Sequence, residues 1–118
     1  MSTTAQLIRA FALALAAPAL ALAQTSAPVG NAAAGATKTA MCTGCHGIVG
    51  WRTAYPEVYK VPKIGGQHPD YIIKALTEYK NGERSHPTMR AIATSLSEQD
   101  MADLAAYYSV NPSVTANK

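Results

Sequence analysis

The chain of 118 residues holds only two cysteines, and both fall within Met41–Gly50, MCTGCHGIVG. A disulfide between them is chemically allowed in an oxidising compartment, but it would close too small a loop to stabilise much and would leave the adjacent His46 unexplained. No dense stripe of cations is present, which excludes the electrostatic footprint of a nucleic-acid binder. No internal repeat recurs, and no stretch shows a convincing β alternation. In particular, no strand precedes the cysteines, as a thioredoxin-like dithiol in a βαβ setting would require. Beyond the first two dozen residues nothing is apolar enough to span a bilayer.

What is present begins with a leader. MSTTAQLIRAFALALAAPALALAQ carries the lone cation Arg9, an apolar run from Ala10 to Leu22, and Ala21-Leu22-Ala23 as a small-x-small cleavage site. This is the pattern of a secretory signal peptide over residues 1–23, with Gln24 as the expected mature N-terminus. The run is short and alanine-rich for an uncleaved anchor. An exported, periplasmic protein without stable membrane insertion is therefore expected. Without Arg9 the chain has nine Lys and Arg against seven Asp and Glu, a net of +2. The cations lean toward the middle, where Arg52, Lys60, Lys63, Lys74, Lys80, Arg84 and Arg90 outnumber the acids. Such a lean can steer an acidic partner, although a solvated surface explains it equally simply.

The mature part reads as all-α. Residues 24–30 form a polar lead-in, 31–112 the folded domain and 113–118 a tail. Asn31 can cap a helix in which NAAAGATKTAMC runs straight into the cysteines. From Gly47 to Gly66 no periodicity holds, because Gly50, Pro56, Pro62, Gly65 and Gly66 interrupt it. HPDYIIKALTEYKNG starts with a proline at an early helical position, aligns Tyr71, Ile72, Ala75, Leu76 and Tyr79 on one face, and stops at Gly82. NGERSHPTM, with Pro87, reads as a loop. In LSEQDMADLAAYYSV, Ser97 and Asp100 form a capping-box pattern, Leu104, Tyr107 and Tyr108 make an apolar stripe, and Pro112 ends the helix. Three short helices in about 95 residues bury little, and domains of that size usually need a staple or a cofactor. A loop near 20 residues equally needs something to hold it. A large planar apolar ligand would meet both needs.

The cysteine motif selects that ligand. A structural zinc site takes four protein ligands; Cys42, Cys45 and His46 supply three, and adjacent Cys45 and His46 are poorly disposed to share one small tetrahedral ion. C-x-x-C-H is instead the attachment pattern of c-type haem. On one helical turn Cys42 and Cys45 project to the same side and can meet the two vinyl groups of a porphyrin. His46, four residues after Cys42, can bring its Nε2 to the iron.

With these residues in view, the sequence resembles the small bacterial class I (monohaem) c-type cytochromes over Asn31 to Val110. The shared features are Cys42-Thr43-Gly44-Cys45-His46-Gly47, then Pro62-Lys63-Ile64-Gly65-Gly66-Gln67. Met89 follows, with Leu96-Ser97-Glu98-Gln99-Asp100 seven residues on, and then Leu104-Ala105-Ala106-Tyr107. The resemblance implies the class I cytochrome c fold, three to four short helices with long loops around one haem c bound covalently through Cys42 and Cys45. It implies His46 and Met89 as axial ligands, with His86 a rival for the second place and His68 a weaker one. Met101 reads as packing. It further implies that the Pro62 carbonyl accepts from His46 Nδ1–H, that Ile64 presses on the haem face, and that Gly35 and Tyr107 mark where the first and last helices cross. Trp51, Tyr55, Tyr59 and Tyr71 can donate to propionates or simply cover the ligand. One departure is the stretch from His46 to Pro62, several residues longer than the family's short form.

The expected function is single-electron transfer by an electron carrier that is not itself an enzyme. Its expected partners are redox proteins: an exported dehydrogenase, a quinol-oxidising complex or a terminal oxidase or reductase. Permanent membership of a larger periplasmic dehydrogenase is the alternative.

Overall fold

The computed structural model describes residues 26–54 and 58–111. The leader, Gln24, Tyr55, Pro112 and the tail lie outside the described residues. Five helices and one small hairpin follow in the order α1 (Ala32–Ala36), α2 (Ala40–His46), β1 (Arg52–Thr53), β2 (Tyr59–Lys60), α3 (Pro69–Asn81), α4 (Pro87–Ser95) and α5 (Glu98–Val110).

Asn31 begins α1 as expected, its side chain accepting from the amides of Ala33 at 2.9 Å and Ala34 at 3.1 Å. The single helix expected from Asn31 into Cys42 is instead two. Thr37 and Thr39 turn their hydroxyls onto the carbonyls of Ala34 and Ala36 at 2.8 and 3.1 Å, and short-range backbone bonds such as Lys38 N–H to Gly35 O replace the helical ladder. Threonine competes for backbone in this way. The break lets Lys38 reach across to Asp100 at 2.7 Å and Asp103 at 2.6 Å on α5.

Crossing of α1 over α5 needs Gly35. A Cβ there would stand 2.1 Å from the Asp103 carbonyl oxygen and 2.8 Å from Tyr107 Cβ. The buried Asp103 carboxylate ties the crossing, accepting from Asn31 N–H at 2.8 Å and from the Gln99 amide at 2.8 Å. At the start of α5, Ser97 and Asp100 close the reciprocal capping box.

Between α2 and α3 the irregular stretch contains a minimal antiparallel hairpin, Arg52 opposite Lys60 and Thr53 opposite Tyr59. Strands of two residues are too short to show the period-2 pattern that sequence reading relies on. Pro69 sits in the first turn of α3, and Gly82, with φ of +85°, ends it in the left-handed conformation a side chain would resist.

The one missed helix is α4. The segment read as a loop at Pro87 begins a helix there, with Pro87 at its first position and His86 as N-cap, its Nδ1 accepting from Met89 N–H at 3.3 Å. Met89 therefore stands in the first turn of a helix and not in a loop. The core proper is small: Ile72, Leu104, Ala105 and Tyr108, with Cys42, Ile64, Leu76 and Leu96 among the side chains packed against it. The helices surround a space more than they fill one.

Candidate haem site

That space is a cleft of about 320 Å³, in the range of small-molecule and cofactor sites. From α2 it is lined by Met41, Cys42, Cys45 and His46; from the following strap by Pro62, Ile64 and Gln67. All five residues of the α3 apolar face, Tyr71, Ile72, Ala75, Leu76 and Tyr79, turn into it. Met89 and Ile92 enter from α4, Leu104 and Tyr108 from α5. Residues 42 and 89 are distant in sequence, yet their side chains border one cleft.

His46 is held from behind. Its Nδ1 lies 2.7 Å from the Pro62 carbonyl oxygen, and since a carbonyl can only accept, Nδ1 carries the hydrogen. The ring is then the tautomer whose Nε2 lone pair is free for a metal, its orientation fixed by the bond. Pro62 is itself positioned through the strap: Gln67 N–H bonds to Ile64 O at 3.2 Å, and Gly66 N–H bonds to the Tyr108 carbonyl of α5 at 2.8 Å. The turn at Gly66 thus sets the chain that aims Pro62 at the imidazole.

Both cysteines are partly buried, and no disulfide joins them. Burial raises the Cys42 thiol above its ordinary value, and a side-chain hydrogen bond with Tyr108 acts in the other direction. Among the described residues no group of three or more His, Cys, Asp and Glu is disposed to hold a metal ion by itself. The zinc reading gains no support from these residues. A helix and a turn, not a strand, precede the cysteines, which removes the thioredoxin-like one. A mostly apolar cleft with two thiols on one helical turn and a preset imidazole suits a porphyrin.

The remaining candidates divide. His68 is exposed, sits 3.7 Å from Asp70 and does not border the cleft. His86 does border it, but its Nδ1 already caps α4. Met101 is buried away from the cleft, receiving the Thr77 hydroxyl at 3.8 Å on its sulphur. Trp51 stays 42% exposed and outside the lining, whereas Tyr71 lines it. Arg84, unremarked in the sequence, joins the lining; its guanidinium lies over the Tyr71 and Tyr79 rings at 5.4 and 5.7 Å and Nε donates to Glu78 at 2.6 Å. No local pattern announces Arg84, because it reaches the cleft by a tertiary contact.

A short-helix domain folded round a cleft that offers a C-x-x-C-H turn on one side is the architecture of a c-type haem protein. The family model described as Cytochrome c matches residues 32–109. The chain is 42% identical to cytochrome c4 of Pseudomonas aeruginosa over 67% of its own length and 37% of that protein's. It is 39% identical to cytochrome c-554(548) of Halomonas halodenitrificans over 68% of its length and 95% of the relative. It is also 33% identical to the cytochrome subunit of sulfide dehydrogenase of Chlorobaculum tepidum over 57% of its length and 56% of the relative. The chain thus spans well under half of the cytochrome c4. It belongs to the cytochrome c family, as a small bacterial class I cytochrome with the all-α fold of that class. Haem c, bound covalently at Cys42 and Cys45, is its cofactor.

Proposed function

We propose that the protein is an exported, periplasmic monohaem carrier that shuttles single electrons with His46 and Met89 as the two axial ligands. The observation that carries this reading is the pairing of the His46–Pro62 bond at 2.7 Å with a methionine bordering the same cleft from another helix. Cys42 and Cys45 hold the porphyrin by adding each S–H across one vinyl double bond, sulphur to one carbon and hydrogen to the other. His46 supplies Nε2, oriented by the Pro62 carbonyl. Met89 supplies a soft sulphur, which favours the ferrous state and raises the potential above that of a bis-histidine site. Ile64 and the α3 face keep water from the ring. The haem supplies one-electron Fe(III)/Fe(II) chemistry, and the protein tunes it. Held by both His46 and Met89, the iron would be closed to substrates, and electron transfer would need little rearrangement. The leader at residues 1–23 fits export, and no helix among the described residues is long and apolar enough to cross a membrane.

The test is the visible spectrum of periplasmically matured protein in both oxidation states. Ferric protein shows the weak far-red band of sulphur–iron bonding; material that is coloured but lacks the band refutes Met89 ligation. A second reading, a haem subunit in a larger dehydrogenase, draws on Ile48, Val49 and Val58, which are exposed at 48, 46 and 70% around the hairpin. The relative that is a cytochrome subunit of sulfide dehydrogenase supports it too. Purification from the native cell as a stable complex with a catalytic subunit decides for that alternative; isolation as a free monomer decides for the carrier.

A further inference from the structure

Tyr108 is one of the two largest fully buried side chains, 1% exposed. Its hydroxyl is a buried side-chain polar atom with no partner at full hydrogen-bonding geometry, and the Cys42 side chain is the polar neighbour it comes near. Burying a hydroxyl unsatisfied costs about 1–3 kcal/mol, and phenylalanine would fill the same volume without that cost. The oxygen therefore needs an explanation. It is not free to swing out: the Tyr107 ring stands edge-on to the Tyr108 ring at 5.2 Å between centroids, and the Tyr108 carbonyl is tied to Gly66 N–H at 2.8 Å. The ring lines the haem cleft beside Cys42, which packs against the cluster containing Tyr108. Burial, reinforced by Cys42, raises the phenol well above its ordinary value, so it stays an O–H donor throughout the neutral range.

The thiol and the thioether differ as partners. A cysteine S–H is both weak donor and weak acceptor, so either group can donate. Attachment places the S–H hydrogen on a vinyl carbon and the sulphur on its neighbour, with nothing released and no electrons exchanged. The sulphur that remains can only accept. We propose that Tyr108 is a positioning residue for the haem, donating its hydroxyl hydrogen to the Cys42 thioether sulphur and so fixing the first attachment arm and biasing the iron toward the ferrous state. The bias follows from the dipole. A hydroxyl donating to that sulphur would turn the positive end of its O–H toward it in a buried setting, where it would stabilise an added electron on the attached group.

This proposal rests on the haem reading above, and its failure is separable. In holoprotein matured in the periplasm, Tyr108→Phe lowers the midpoint of a spectroelectrochemical titration while leaving haem content and the far-red band unchanged. Tyr107→Phe, the neighbouring phenol outside the cleft lining, leaves the midpoint where it is. In wild-type protein after full exchange into D₂O, the thioether C–S stretch in the resonance Raman spectrum shifts. A coloured Tyr108→Phe protein with the wild-type midpoint overturns the proposal alone. So does a wild-type C–S stretch indifferent to exchange, a result available even if the variant fails to mature. Wild-type protein without covalent haem overturns the reading beneath it.

Discussion

Two side chains border the haem cleft from different helices, and they differ in how their environments hold them. His46 is fixed by a carbonyl that no side-chain substitution can delete, whereas Met89 has no such tether; its amide is engaged by His86. Met89→Ala is expected to abolish the far-red ferric band and to lower the reduction potential, because a thioether ligand is exchanged for a harder one such as water or a histidine. Optical redox titration of the matured variant checks both. If band and potential persist, another sulphur holds the iron. The attachment residues were legible because Cys42, Cys45 and His46 are local: one helical turn fixes their relation whatever the rest of the chain does. The Pro62 partnership was legible only through family resemblance, since nothing local joins positions 46 and 62. Arg84 and the buried hydroxyl of Tyr108 were not legible, because both depend on which neighbours the fold supplies.

Helices α1 and α5 cross as closely as they do only because residue 35 lacks a side chain. Within a helix, Gly→Ala normally gains about 1 kcal/mol of propensity. Here the new Cβ would stand 2.1 Å from the backbone oxygen of Asp103. The helices must part, and overpacking of that kind costs about 1–3 kcal/mol or more. Gly35→Ala is therefore expected to lower the thermal midpoint of the holoprotein by roughly 5–15 °C at about 4–8 °C per kcal/mol, read by calorimetry. An unchanged or raised midpoint would show that the crossing tolerates a side chain. The same crossing carries a pH dependence. Asp103 is held below its ordinary carboxylate value, chiefly by the Lys38 ammonium and then by the Asn31 amide, and Asp100 is depressed by Lys38 and Ser97. A depressed folded value means that the stabilisation is complete above the unfolded value near 3.8. It is lost as the pH falls below that and the folded carboxylates take up protons. Thermal midpoints between pH 7 and pH 3 should thus fall steeply only at the acid end. Asp103→Asn should lower the midpoint at pH 7 and flatten the acid limb; an equally steep limb in the variant would assign the acid sensitivity elsewhere. Elements with paired signals, α3 with Pro69 and Gly82 and α5 with its Ser97–Asp100 box, were readable at their starts and faces. The α4 helix hid behind a proline that reads equally as loop or first turn, and the break at Thr37–Thr39 hid because the pull of α5 on Lys38 is tertiary.

At the scale of the whole molecule, the described residues leave the centre of the fold to be filled by the cofactor, and the protein is expected to need it to stand. Where a domain of this length would pack its centre, the helices enclose about 320 Å³ of cleft, and the buried cluster beside it has only four members. At about 24 cal/mol per Å³, leaving such a volume unfilled forfeits on the order of 8 kcal/mol. That is comparable to the entire stability of a small domain, about 5–15 kcal/mol. Water entering the cleft would recover part of the loss but would wet Ile72, Leu104 and Tyr108, whose burial is the core. The haem is then the larger part of the hydrophobic centre as well as the redox group, and attachment through Cys42 and Cys45 makes that centre permanent. Exported Cys42→Ser/Cys45→Ser protein, unable to form either thioether, is expected to lose most of its far-UV helical signal and its cooperative thermal transition, while wild-type holoprotein retains both. Circular dichroism on the two proteins, with haem content measured by absorbance in each, makes the comparison. A colourless double variant that unfolds cooperatively with wild-type helicity would mean that the five helices can close over the cleft by themselves, and that haem contributes chemistry here without contributing the core.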